Sequence, residues 1–127
     1  QAGYGVANFN LDTTEANFDN GNNYNTSNYR FVAPVTGKYF FALQIRFDSS
    51  SGTYFRVLVG KNGSNSNSHG VHSIEGNGMG SNYQTLNCSG VIELAANDYV
   101  DARYQSHNDT SFNLTLGESG FSGFLIG

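Results

Sequence analysis

The sequence predicts an all-β protein, an antiparallel sandwich or barrel of short strands. Apolar residues alternate with polar ones in run after run, no stretch repeats them convincingly at three and four residues, and clusters of Asn, Gly and Ser separate the runs. Alternation marks a strand with one face in a core, because successive side chains point to opposite sides. Turn clusters this frequent, with nothing helical between them, fit an antiparallel two-layer arrangement.

Residues 1–15 read as a linker or a first strand, and "FDNGNNYNTSN" after them is a turn cluster. In "YRFVAPVTGKYFFALQIRF", Tyr29 to Phe47, Pro34 cannot donate to a sheet ladder, so "PVTG" punctuates two strands. The second is the strongest of the chain. Tyr39, Phe41, Leu43, Ile45 and Phe47 face the core, and Phe40, Ala42, Gln44 and Arg46 face the other way. Further strands follow at Phe55, Val57 and Val59; Ile92 and Leu94; Val100, Ala102 and Tyr104; Phe112, Leu114 and Leu116; and Phe121 to Ile126. The longest break, Gly60 to Ser81, reads as a surface loop region, where β scaffolds often carry function.

The 127 residues suit one domain spanning 1–127, able to bury a core without staples. Charged residues are only 13%, so solubility rests on Asn, Ser and Gly. The net charge is -4, and the cations Arg30, Lys38, Arg46, Arg56, Lys61 and Arg103 are scattered singly, which argues against nucleic acid as a partner. No apolar run is long enough for a membrane helix, so no membrane insertion is expected. The chain starts at Gln1 and its first Met is Met79, as in a processed chain or an excised domain. Cys88 is alone and closes no internal disulfide.

No catalytic set emerges. His69, His72 and Glu75 would align only on a helix, and none is indicated. Nothing orients Cys88 toward a His; Ser119 and Ser122 lack nucleophile-elbow spacing; "GNGMG" has no strand-to-helix context; Asp98 and Asp101 would face opposite sides of a strand. The loop beginning at Asn62 and Ser64, with His69 and His72, and the tyrosines Tyr54 and Tyr83 form the candidate ligand surface. Tyrosine among Asn, Ser and Gly suits adaptable binding, because rings stack on ligands and amides bond hydroxyls. Tyr24, Tyr29 and Tyr104 share that setting. Sequons occur at Asn25, Asn62, Asn87, Asn108 and Asn113, where this composition would give about three by chance.

Three blocks resemble the globular domain of complement C1q and its relatives of the tumour-necrosis-factor jelly roll: "NYRFVAPVTGKYFFALQI", "SGVIELAANDYVDARY" and "SGFSGFLIG". The likeness is strongest over 18–127. It departs where Asn97 replaces the usual Gly, where "TSNYRF" replaces a commoner Thr-Gly-x-Phe, and where the chain ends in Gly127 instead of an aromatic. The resemblance implies a jelly roll of about ten strands and a homotrimeric, non-enzymatic recognition head. Aromatics on both faces of a strand, Phe40 with Phe41 and Phe124 with Phe121, agree with packing on a neighbour beyond the core set that also includes Val57, Leu94, Val100 and Phe112. Calcium is the one cofactor it suggests, with Asp48 and Asp19 as candidate ligands. The expected function is the tip of a viral, phage or microbial surface fibre that binds a cell-surface protein or glycan receptor, outside the cell or on a virion. The alternatives are a secreted invertebrate-type lectin and a purely structural trimerisation or particle-decoration domain.

Overall fold

The computed structural model of the chain describes residues 3–7, 19, 21–49, 54–64, 72–77, 83–106, 112–114 and 119–127. Among these residues there are ten strands and no helix: β1 (Gly3–Val6), β2 (Tyr24–Asn25), β3 (Arg30–Val32), β4 (Gly37–Ser49), β5 (Tyr54–Lys61), β6 (His72–Asn77), β7 (Tyr83–Leu94), β8 (Tyr99–Ser106), β9 (Phe112–Leu114) and β10 (Gly120–Leu125).

They build two antiparallel sheets, the layers of a jelly-roll sandwich. In the first, β8 pairs with β5 along one edge and with β3 and then β1 along the other; β2 lies outside β3 and β6 outside β5. In the second, β4 pairs with β7 over its length, while β10 and β9 share its other edge.

The alternation of β4 decides what fills the space between the sheets. Tyr39, Phe41, Leu43, Ile45 and Phe47 are all buried, against Val57 and Val59 of β5, Ile92 and Leu94 of β7, and Val100 and Ala102 of β8. The rings interlock. Phe31 meets Tyr39 and Phe41 edge-on at 5.6 and 5.5 Å, and Phe121 stacks on Phe41 at 5.8 Å. Gly123 lies opposite Phe41, where a Cβ would come within 2.4 Å of the ring, so the closing strand has no side chain there. Pro34 falls between β3 and β4, and the Tyr39 hydroxyl donates to the Val35 carbonyl at 2.6 Å, tying that connection to the core.

The region read as a long loop contains a strand. In β6, "HSIEGN", Ile74 is the only apolar residue, so the sequence shows no alternation; backbone pairing with β5, Val57 opposite Ile74, makes the strand. The strand expected before Pro34 is β3, and β1 falls in the segment read as a linker or a first strand; β2 escaped, since two residues are too few to display a period.

At two positions that depart from the resembled pattern the backbone adopts a conformation that favours glycine. Asn97 has φ +74°, and Tyr29, which falls on the glycine when Phe31 is aligned, has φ +60°. Both conformations are those that glycine adopts freely. Asn tolerates the left-handed region, whereas a bulky ring there is strained.

Candidate recognition surfaces

One end of the sandwich is held by a clasp between two turns. Asn62, at φ +50° after β5, donates its backbone N–H to the Tyr99 carbonyl at 2.9 Å, and its side chain bonds twice more. Its Nδ2 donates to Asp98 Oδ1 at 3.0 Å and its Oδ1 accepts the Tyr99 N–H at 2.9 Å. Asp98 Oδ2 accepts the Ala95 N–H, with Lys61 Nζ 3.6 Å away; Lys61 also donates to the Glu93 carbonyl of the opposite sheet. The bond from Asn62 first, then that from Ala95, holds the Asp98 carboxyl below its usual range, with Lys61 helping. The Asn62 amide is therefore committed to the fold, and the neighbouring Ser64 N–H closes the turn on the Lys61 carbonyl.

The outward face of the first sheet is charged and self-sufficient. Asp101 is 0% exposed, gripped by Arg103 through Nε at 2.5 Å and Nη2 at 3.0 Å, the two-pronged geometry that guanidinium offers a carboxylate. Arg30 approaches to 4.0 Å from the neighbouring strand while its Cζ sits 4.0 Å above the Tyr99 ring. Leu58, opposite Arg103 and thus turned away from Val57 and Val59, is also fully buried.

Beside this sheet lies a cleft of about 560 Å³. Its polar lining comes from Asn22, Asn23, Asn25 and Thr26 before β3 and from Asn97 in the β7–β8 turn; Val32, Ala33 and Pro34 give it an apolar wall. Asp19 fixes the first segment: Oδ1 accepts the Asn23 N–H at 3.0 Å and Oδ2 the Tyr24 N–H at 2.8 Å. The walls are cross-tied, since Val32 N–H donates to the Asn23 carbonyl and Asn97 N–H to the Ala33 carbonyl. Tyr24 also lines the cleft. Its buried hydroxyl has no hydrogen-bond partner among the described residues, and its pKa is pushed up to about 12 by burial, with Asp101 and Tyr29 adding to the effect.

The outward face of the second sheet is bare and apolar at one level. Phe124 of β10, Phe40 of β4 and Val91 of β7 stand side by side in register, the two rings 5.4 Å apart. Phe124 is 61% exposed and Val91 47%, and Leu125 and Ile126 extend the exposed apolar surface at the chain end. Lys38 and Glu93 border the row on one side; Ser122, Ala42 and Ser89 border it on the other.

Of the residues proposed from sequence as ligand contacts, Asn62 and Ser64 belong to the clasp. His69 lies outside the described residues. The backbones of His72, Tyr54 and Tyr83 are in β6, β5 and β7, and their side chains are outside the described set, as are those of Asp48 in β4 and Phe112 in β9. As a calcium ligand, Asp19 would compete with its own turn, because both oxygens already accept backbone N–H groups. Among the described residues no three His, Cys, Asp or Glu side chains gather where they could hold a metal ion. The Cys88 thiol is half-buried, and burial pushes its pKa up to about 11 despite a backbone bond with Val59, which lowers it. Sequence reasoning missed the cleft. Its one available signal was the amide at Asn97, where the resembled pattern carries Gly.

Two packed antiparallel sheets with turn-built surfaces at their ends define a β-sandwich binding module. The profile of the C1q domain matches residues 6–126, and the chain belongs to that family. No curated protein matches the sequence. C1q domains are generally non-enzymatic binding and trimerisation modules, typically extracellular, that commonly form trimers and bind receptors or glycans. Among the described residues no helix is long and apolar enough to cross a membrane.

Proposed function

We propose that this chain is a homotrimeric recognition head at the tip of a fibre or stalk on a viral, phage or microbial surface, where it attaches to a cell-surface protein or a glycan. The observation that carries the assembly is the row Phe124, Phe40, Val91, an apolar strip on the outward face of one sheet, bordered by Lys38 and Glu93 on one side and by Ser122, Ala42 and Ser89 on the other. Apolar area left uncovered on a chain otherwise solubilised by amides and hydroxyls fits the centre of a subunit contact, where charge is depleted and aromatics are enriched. Membership in the C1q family supports three copies and a binding role. The Lys-poor, Asn- and Gly-rich composition supports the fibre setting.

Sedimentation of the chain together with Phe124→Asp tests the reading. The parent should run as a trimer and the variant as a folded monomer, because Phe124 contributes little to the core of its own subunit. A parent that stays monomeric at tens of micromolar would overturn the assembly. Attachment of labelled trimer to cells and to glycan arrays tests recognition.

A further inference from the structure

We infer that the cleft between Asn22 and Asn97 is a binding site for a short neutral saccharide. The inference rests on the reading of the chain as a recognition head and assigns part of that recognition to a place the sequence did not suggest. Three properties of the cleft point to sugar.

The first is the chemistry of its lining. The polar side-chain groups are four amides and the hydroxyls of Thr26 and Tyr24, and none of the lining residues is charged. An amide donates and accepts at once, which matches vicinal hydroxyls, whereas a carboxylate or a phosphate would find no cation there. Pro34 and Val32 offer a small apolar surface for the C–H face of a sugar ring, and both are exposed.

The second is availability. The side chains of Asn22, Asn23 and Asn97 have no hydrogen-bond partner among the described residues, in contrast to Asn62, whose amide is spent on Asp98 and Tyr99. The third is rigidity. The Asp19 carboxylate and the cross-ties to Val32 and Ala33 hold the backbone of the walls in place, so only the amide side chains remain to be ordered when a ligand enters. Asp19 is a positioning residue here. A volume of about 560 Å³ lies within the range of small-ligand sites.

Backbone geometry supplies clean variants. Asn22 has φ +54° and Asn97 φ +74°, so Asn22→Gly and Asn97→Gly delete the amides at positions where glycine keeps the turn. The intact chain, in whatever assembly it forms, is applied to an array of neutral, sialylated and sulfated oligosaccharides and to cells. The neutral oligosaccharide giving the strongest signal is then titrated calorimetrically against parent and variants, with and without EDTA. The expected result is binding of neutral glycans that EDTA leaves unchanged and that falls at least about tenfold in each variant, with melting temperatures held. Equal affinity in parent and variants would overturn the cleft assignment and leave the recognition reading standing, as would binding confined to acidic glycans or to a protein on cells. Loss of binding in EDTA would overturn the direct amide contact proposed here. A parent that binds neither array nor cells removes the recognition reading and the cleft with it.

Discussion

On the outward face of the β3–β8–β5 sheet, Asp101 is sealed beneath Arg103, with Arg30 beside it and itself laid on Tyr99. On the outward face of the β10–β4–β7 sheet, Phe124, Phe40 and Val91 stand in a row, with Phe124 largely exposed. Both faces belong to sheets whose inner sides share one core, so core packing does not explain the difference. Among the described residues, one surface pairs its charges within the subunit; the other leaves apolar area exposed to water. A charged face of the first kind can remain in solvent, whereas the apolar row is the surface on which the proposed assembly rests.

The comparison can be broken first at Asp101. Asp101→Ala leaves two guanidinium groups around an apolar gap and should destabilise the subunit by about 3 kcal/mol in urea unfolding. Sedimentation should be unchanged wherever the variant remains folded, since the loss is internal to the charged face. A variant of parental stability would mean that the buried carboxylate contributes nothing net. A smaller effect of opposite sign is expected at the hairpin that delivers Arg30. Tyr29 sits at φ +60°, with its N–H bonded to the Asn25 carbonyl at 2.7 Å, and Tyr29→Gly removes the strain while keeping that bond. Part of the relief is returned as unfolded-state freedom, so the net gain should be about 0.5 kcal/mol, read as a higher urea midpoint.

The smallest effect is the response of the clasp to acid. The Asp98 carboxyl is held below its usual range in the folded chain, so its contribution is present above the unfolded value and is lost as pH falls below about 4 and through the folded value. The melting-temperature gap between the parent and Asn62→Ala should be open at neutral pH and narrow toward pH 3, roughly where carboxylates protonate. A constant gap would mean that Asn62 acts through the Tyr99 N–H alone.

The strand β4 could be read before any coordinates because its period is local: ten residues of "KYFFALQIRF" state which side is core, and Phe40 beside Phe41 already hints at a second contact. The strand β6 could not, since its existence depends on a partner, β5, and not on its own residues. The same distinction separates the surfaces. The apolar row was half legible from two aromatic doublets, but Val91 joins it only through the β4–β7 register. The clasp couples residues 36 apart, which made Asn62 resemble a free loop amide when it is a structural one. The cleft draws on segments around 22–26, 32–34 and 97, and no local pattern announces that they meet.

Cys88 lies on β7 opposite Leu43 and packs against the core that both sheets share, so the thiol stands between the two layers. Held protonated and half-covered, it is a slow nucleophile for as long as the layers stay together. The rate at which an alkylating reagent labels this cysteine thus becomes a clock for separation of the sheets, readable by mass spectrometry without adding a probe.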